Sequence, residues 1–548
     1  MGGDVVSAWT FADVWEAIAA KQPDHPALIQ GDRVVTWGQF DARADALAAH
    51  LVANGLSADA KVAAYLYNGP EYLETYYAAF KAGMAPLNTN YRYGGEELTY
   101  LFDNADAEAV VFHAGFADTL EPLRAKLPTV KRWIAVAEPG HPAPAWADDY
   151  ETVVAAPPAQ RPFRAPWGRS PDNLVLLYTG GTTGMPKGVM WRQDDLFNVI
   201  GAGGHALMGL PPLEHPQDVS GRIGSYPPPM TLVCCPLMHG TGQFSAFITL
   251  NIGGTVASLP SRNFNAMELW DEAVRLQAGN IVIVGLAFST PMLEALEANP
   301  GRWDLSNVKA MSSSGSMWSQ ENKRGLLSHA RNAMIMDSFG SSEAVGLGAS
   351  ASAPGAEAAT AAFMLGPNCA VFTEEGRRVE PGSGERGLVA VSGFLPTGYY
   401  KDPEKSAKTF KTMEGQRWSV PGDWAEVNLD GTLKLLGRGS QCINTGGEKV
   451  FPEEVEEALK THPSVRDAVV VGVPDPRFGE RICAVVEPEP DAAPPSLEDM
   501  AAHVRSRLAA YKAPRELVVV ASIGRAPNGK VDYKASRERA LSALGVGA

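Results

Sequence analysis

Apolar residues recur at helical spacing from Phe11 to Ala20 and from Gln39 to Asn54, and short apolar runs such as Val62-Ala-Ala-Tyr-Leu66 fall between and after them. Three- and four-residue spacing marks a helix with one buried face, and a short continuous apolar run bounded by turns marks a buried strand. Their alternation through about Phe112 predicts an α/β fold. Residues 139 to 171, Pro-rich and without periodicity, read as a surface connection before a strand at Asn173 to Tyr178. Helix and strand patterns resume at Trp270 to Ala278, Asn280 to Val284 and Met334 to Asp337. After Gly366 the texture changes to short strands and turns, among them Gly387 to Val391 and Thr432 to Leu436. The last segment predicts a smaller mixed unit. It has a helix at Pro452 to Thr461, strands at Asp467 to Val473 and Ile482 to Glu487, a helix at Leu497 to Tyr511, and a strand at Glu516 to Val520. Two glycines flank Arg438 in Gly437-Arg-Gly-Ser-Gln441 and loosen the backbone there. The expected division is a large N-terminal domain of several subdomains over residues 1–439 and a small, mobile α+β domain over 440–548. Ala351 to Ala362 is low in complexity and reads as a surface loop.

With 548 residues, the chain exceeds what one core supports. Its 47 basic and 62 acidic residues leave a net charge of −15, which argues against general binding to nucleic acid or to an anionic membrane. No segment is apolar enough to span a bilayer, and the start Met-Gly-Gly-Asp lacks the basic patch and apolar run of an export signal. A cytoplasmic location is expected. Five cysteines, including the adjacent Cys234 and Cys235, form no Cys-x-x-Cys pair and read as reduced thiols. A homodimer is among the assemblies the sequence leaves open.

Leu177-Tyr-Thr-Gly-Gly-Thr-Thr-Gly-Met-Pro-Lys-Gly188 concentrates four glycines, three threonine hydroxyls and a lysine in one loop. Glycines bring backbone N–H groups close to an anion, while Thr179, Thr182, Thr183 and Lys187 add donors and charge around Gly180, Gly181 and Gly184. It is not a Walker A loop, which ends in Gly-Lys-Ser/Thr. Gly-Thr runs also make ordinary hairpin turns. Phosphate binding is the reading that the rest of the chain favours.

Five more segments follow in order: Pro236-Leu-Met-His-Gly240, Asp337-Ser-Phe-Gly-Ser-Ser-Glu343, Val420-Pro-Gly-Asp-Trp424, Gly437 to Lys449, and Arg525-Ala-Pro-Asn-Gly-Lys530. Together with the loop they resemble the AMP-forming superfamily of acyl- and aryl-CoA synthetases, peptide-synthetase adenylation domains and luciferases, over nearly the whole chain. Leu177 to Trp191 and Gly437 to Val455 look closest to bacterial CoA ligases for fatty acids and steroid side-chain carboxylates. The resemblance implies ATP, Mg²⁺ and coenzyme A, with a carboxylate first joined to AMP and then transferred to a thiol.

Several roles are implied by the resemblance. Thr179 to Lys187 would hold the β- and γ-phosphates. Glu343 would bind Mg²⁺, which favours hard carboxylate ligands, and Ser342, in place of the family's threonine, keeps a hydroxyl for the α-phosphate or substrate carboxylate. As the other reading, an acid after two serines caps a helix. Asp337, Ser338, Phe339, Gly340 and Ser341 would line the adenine, with Phe339 replacing the usual tyrosine but keeping a stacking face. Ser314, Gly315 and Ser316 resemble the turn on the adenine's other side, or are an ordinary tight turn. Asp423 would accept both ribose hydroxyls, and Arg438 would bond ribose or phosphate. Lys530 would bridge the carboxylate and the α-phosphate, neutralising two anions that must meet. Rotation about Ser440 would withdraw it and bring in the face that includes Gly446, Gly447 and Lys449.

By the same resemblance, His239 lies where the family places an aromatic or histidine at the mouth between acyl pocket and nucleotide, as a gate; a structural histidine is the alternative. Pocket walls are expected from Gly240 to Phe247 and Gly285 to Pro291, where Gly240, Gly242, Ser245, Ala246, Gly285 and Ala287 are small. Small residues leave room for a bulky ligand or let helices pack closely. Neither wall carries a charge suited to an amino acid's ammonium, and the long Gly201 to Pro229 stretch resembles steroid-type ligases. The expected substrate is a hydrophobic carboxylic acid, a medium- or long-chain fatty acid or a sterol side-chain carboxylate. Loading of a separate carrier protein and a catalytically silent AMP-binding protein are the rival readings.

Overall fold

Mostly apolar strands buried on both faces, such as Lys61–Tyr65 and Asn280–Ile283, pair in parallel at the centre of two of the three sheets. The computed structural model describes residues 9–181, 184–207, 210–211, 213–315, 318–355, 362–441, 443–445, 448–475, 479–490, 492–508, 510–526 and 529–546. In the first sheet Pro26–Gln30, Thr255–Ser258, Met230–Val233, Asn280–Ile283, Ala310–Ser314 and Met334–Ser341 run parallel in that order. A hairpin from Met334–Ser341 to Ala344–Ser352 then reverses direction. From there the sheet continues antiparallel through Thr432–Arg438 and Asp423–Val427. The second sheet is parallel from Leu174–Gly181 through Ala85–Asn88, Lys61–Tyr65 and Ala107–His113 to Arg132–Val136, with Gly184–Arg192 antiparallel to its first strand. A third sheet contains Ile443–Thr445, Glu448–Val450, Val465–Asp475, Gly479–Pro488 and Glu516–Val519. It shares no strand with the other two and has its own core, including Val455, Leu459, Val470 and Met500.

Local chemistry sets the helix boundaries. Thr10 caps Phe11–Lys21 by accepting from the Asp13 N–H, and Thr36 with Gln39 forms a capping box for Trp37–Ala53. The helix predicted at Trp270 to Ala278 instead spans Ala266–Arg275, because the Asn265 side chain accepts from Met267 and Glu268 and starts it earlier. Met334–Ser341 runs four residues beyond the predicted strand, since its end pairs with the returning hairpin. The Gly/Pro-rich stretch after Gly201 contains the end of helix Gln193–Leu207 and a short helix, Asp218–Arg222. The Pro-rich connection likewise holds helix Tyr150–Val154, capped by Asp149. Leu497–Arg505 ends before the predicted Tyr511, which falls in a separate turn, Ala510–Lys512, with Lys512 buried against Glu454.

Helix Pro70–Lys81 is buried on every side, so the Lys81 ammonium needs partners. Glu16, Asp41 and Asp45 supply oxygens at 2.9, 2.7 and 2.7 Å. Burial favours neutral Glu16, yet hydrogen bonds from Arg169 and Arg164 and the charge of Lys81 prevail and hold its pKa at about 2. Glu16, Asp41 and Asp45 have the spacing of a metal cluster, but the ammonium already satisfies them. Among the described residues, no helix is long and apolar enough to cross a membrane.

Candidate active site

The glycine-rich loop is the tip of an antiparallel hairpin formed by Leu174–Gly181 and Gly184–Arg192, in which Thr179 faces Lys187. Thr182 and Thr183 lie outside the described residues, as do the side-chain environments of the neighbouring glycines. The Lys187 ammonium pairs with Asp402, whose carboxyl that hydrogen bond holds below its ordinary pKa. Further along the hairpin, Trp191 Nε1 donates to the Ser342 carbonyl at 2.9 Å. Strand Gly398–Tyr399 adds to the hairpin's edge, and from it the Tyr399 hydroxyl donates to Glu343 Oε1 at 2.7 Å. Ser419 Oγ donates to the Glu343 carbonyl at 2.7 Å. The predicted phosphate loop and the Ser342–Glu343 turn are thus tied together through side chains from three segments.

Glu343 sits half-buried in the turn between the paired strands, a hard carboxylate oriented by Tyr399. One such carboxylate suits Mg²⁺, which keeps waters and phosphate oxygens as its other ligands. Ser341 Oγ is buried with no hydrogen-bond partner, a polar atom suited to a bound ligand.

The segment Asp337 to Ser341 divides by strand alternation. Asp337 is 5% exposed and pairs at 2.8 Å with buried Lys323; burial raises its pKa despite that cation. Its carboxylate therefore faces the protein interior, whereas Ser338 is exposed. The half-buried Phe339 ring packs on Phe363, with centroids 5.6 Å apart. Ser314 pairs with Ser338 across the parallel strands, Gly315 follows at φ +83°, and Thr241 Oγ1 donates to the Ser314 carbonyl at 3.3 Å. Ser316 lies outside the described residues. Asp423, 7% exposed, follows Gly422 at φ +106° and pairs in register with Arg438. Only the backbone of Arg438 and Lys449 is described, and Gly446 and Gly447 lie outside the described residues.

His239 caps helix Gly240–Asn251 through its backbone, at the end of a turn held by two asparagines. Asn68 donates to the Cys235 carbonyl and accepts from the Leu237 N–H. Asn88 donates to the carbonyls of Tyr178 and Met238, at 2.9 and 2.6 Å, and accepts from the Tyr178 N–H at 2.6 Å. One buried side chain thereby ties the glycine-rich hairpin to the His239 turn. Burial, reinforced by the charges of Lys530 and Arg92, lowers the His239 pKa to about 3 and keeps the ring neutral. Lys530, one of those two charges, is exposed on the C-terminal unit.

The predicted pocket walls separate into two faces. On Gly240–Asn251 the half-buried residues Thr241, Phe244, Ser245 and Ile248 form one stripe, while Gly242 and Ala246 point into the core. A Cβ on Gly242 would lie 2.5 Å from the Pro236 carbonyl oxygen, so that glycine serves close packing and not pocket volume. Gly285, at φ +50°, is also buried and donates its N–H to Ser313 Oγ. Ala287 and Thr290 are half-buried on the second wall. A cavity of about 80 Å³, lined in part by Tyr67, Arg92, Arg262 and Phe288, is far smaller than the roughly 300–1,000 Å³ of a typical ligand pocket. Sequence patterning missed Asn68, Asn88 and Tyr399; a polar residue ending an apolar run, as Asn88 does, was the available signal.

Comparison with known proteins resolves the family. A profile described as AMP-binding enzyme matches residues 15–400, and one described as AMP-binding enzyme C-terminal domain matches 454–530. The chain belongs to the AMP-binding enzyme family. A medium/long-chain-fatty-acid–CoA/3-oxocholest-4-en-26-oate–CoA ligase of Mycolicibacterium smegmatis is 39% identical over 97% of this chain and 96% of its own. A 3-oxocholest-4-en-26-oate–CoA ligase of Rhodococcus rhodochrous is 38% identical over the same shares. In fold, the chain matches an anthranilate CoA ligase solved in complex with anthranoyl-AMP, with TM-score 0.83, 20% identity and 98% coverage of both chains. The motif-based resemblance to AMP-forming acyl-CoA synthetases is borne out, as is the α/β class with a large N-terminal and a smaller C-terminal part.

Proposed function

We propose that this enzyme couples a hydrophobic carboxylic acid to AMP using ATP, releasing pyrophosphate, and then transfers the acyl group to coenzyme A. The tying of the glycine-rich hairpin to both the Ser342–Glu343 turn and the His239 turn, through Trp191, Tyr399 and Asn88, carries this reading, because it gathers the predicted phosphate, metal and acid-gate residues into one neighbourhood. In the first half-reaction a carboxylate oxygen attacks the α-phosphorus and the bond to pyrophosphate breaks. Lys530 would offset repulsion between the two anions and the charge that develops between them. Ser342 would bond the α-phosphate or carboxylate, Asp423 the ribose hydroxyls, and the 179–187 hairpin the departing phosphates. Glu343 would hold Mg²⁺, which when bound neutralises charge on those phosphates. Neutral His239 would stand between acid and nucleotide as a gate without adding a charge.

In the second half-reaction the thiol sulfur of coenzyme A attacks the acyl carbonyl, the bond to the AMP oxygen breaks, and the thiol proton is lost. Lys530 would first withdraw as residues 440–548 rotate about Ser440, bringing in the face around Lys449. The uncharged stripe of Thr241, Phe244, Ser245 and Ile248, together with the names of the relatives, supports a fatty acid or a sterol side-chain carboxylate as substrate. The test is CoA-dependent AMP release across fatty acids from acetate to long chains, with a sterol side-chain acid and a set of amino acids. Turnover should concentrate on the long or polycyclic acids. Strong turnover of acetate or an amino acid with none of those would reject the assignment.

A further inference from the structure

Residues 527 and 528, just before Lys530, lie outside the described residues, and the backbone on either side of them is fixed by hydrogen bonds. The Gly529 N–H reaches the Ala526 carbonyl at 2.7 Å, and the Ala526 N–H reaches the Lys530 carbonyl at 2.9 Å. Gly529 lies at φ +72°, a left-handed conformation that suits glycine. A lysine on such a turn has four rotatable side-chain bonds, so where its ammonium reaches depends on how the turn is anchored.

Arg525 provides that anchor. Its Nε and Nη2 donate to Asp467 Oδ2 and Oδ1 at 2.6 and 2.8 Å, and its Nη1 donates to the Gly529 carbonyl at 3.2 Å. Both side chains are 18% exposed. The planar fork thus spans strand Val465–Asp475 and the peptide immediately before Lys530, a geometry an ammonium cannot reproduce. Asp467 is fixed in turn, accepting the Ala468 N–H at 2.8 Å with Lys460 at 3.5 Å. Burial favours the neutral acid, but Arg525 and Lys460 hold its pKa below the ordinary carboxylate value, so the pair stays charged. Beyond the turn, the Tyr533 hydroxyl bonds Glu456 Oε2 at 3.2 Å.

We propose that Arg525 and Asp467 are positioning residues for Lys530, acting in adenylate formation and not in thioester formation. This rests on the reading of Lys530 given above. In the full-length enzyme, Arg525→Lys keeps the charge but loses the fork, and Asp467→Asn keeps the shape but loses the charge. Adenylate formation would be followed by ATP–pyrophosphate exchange, and thioester formation by supplying preformed acyl-AMP with coenzyme A. Both variants should lose about 100-fold in exchange, the cost of roughly an ångström of misplacement, with the second half-reaction unchanged. Unchanged exchange, or equal loss in both half-reactions, would overturn the proposal. Should Arg525→Lys fail to fold, Asp467→Asn carries the same comparison. Lys530→Ala is the control: if it leaves exchange intact, the functional reading fails, whereas loss there with none in the two variants removes only the positioning role.

Discussion

Replacing Asn88 with alanine isolates one contact that holds two parts of the candidate site together. Asn88 is 3% exposed, and its three hydrogen bonds join strand Ala85–Asn88 to the glycine-rich hairpin and the His239 turn. The truncation leaves the Tyr178 N–H and the carbonyls of Tyr178 and Met238 without these partners in a buried setting. At about 1 kcal/mol net for each neutral bond, the loss is about 3 kcal/mol, and more if the orphaned groups stay dry. For a cooperative unit of 150–250 residues, that corresponds to a fall in Tm of roughly 6–12 °C. Asn88→Asp preserves the shape but turns the donor into an oxygen facing two carbonyl oxygens. It should be at least as harmful at neutral pH and partly relieved in acid, where the protonated carboxyl regains a donor. Thermal melting would be read alongside ATP–pyrophosphate exchange, since displacement of either loop should slow adenylate formation as well. An alanine variant that melts with the parent and exchanges pyrophosphate at the parent rate would refute the reasoning.

Three further outcomes are expected. Lys530→Ala should lower adenylate formation by about 100- to 1,000-fold, as loss of one transition-state donor does, with ATP binding measured by calorimetry only modestly changed. Ser440→Pro, which locks φ within the Gly439–Gln441 turn, should impair thioester formation from acyl-AMP more than it impairs pyrophosphate exchange; equal losses would reject Ser440 as the pivot. The third concerns pH. His239 stays neutral in the folded protein down to about pH 3, whereas the unfolded chain takes up a proton near 6.5. The unfolded state therefore binds more protons below 6.5, and stability should fall as pH drops through that window. His239→Gln should flatten this part of a melting-temperature profile; an unaltered slope would show that the folded ring titrates normally.

Much of the architecture was legible because parallel strands and amphipathic helices write their burial into spacing. The runs at Lys61–Tyr65 and Asn280–Ile283 were found nearly to the residue. Helix ends set by a single side chain were less legible, as Asn265 shows by starting its helix four residues before the apolar pattern did. Composition also disguised Gln193–Leu207, whose glycines suggest a loop although Leu196, Phe197 and Ile200 anchor it in the core. At the site, motifs marked the loops but not what holds them. The interior pairing of Asp337 with Lys323 and the cross-sheet reach of Asn88 join residues far apart in sequence, and no spacing rule encodes such partners. Small residues on the predicted pocket walls were ambiguous for a related reason. A glycine that admits a ligand and one that admits a neighbouring carbonyl, as Gly242 does, look alike until the neighbour is placed.

The third sheet, with its separate core and no strand in common with the others, makes the protein modular. On the function proposed above, selectivity for the acid would reside in one module and the lysine that advances the reaction in another. On that reading, evolution could widen or narrow the range of accepted acids without rebuilding the C-terminal unit. By the same token, exchanging the terminal module between relatives offers a way to retune tempo while leaving chemical taste alone.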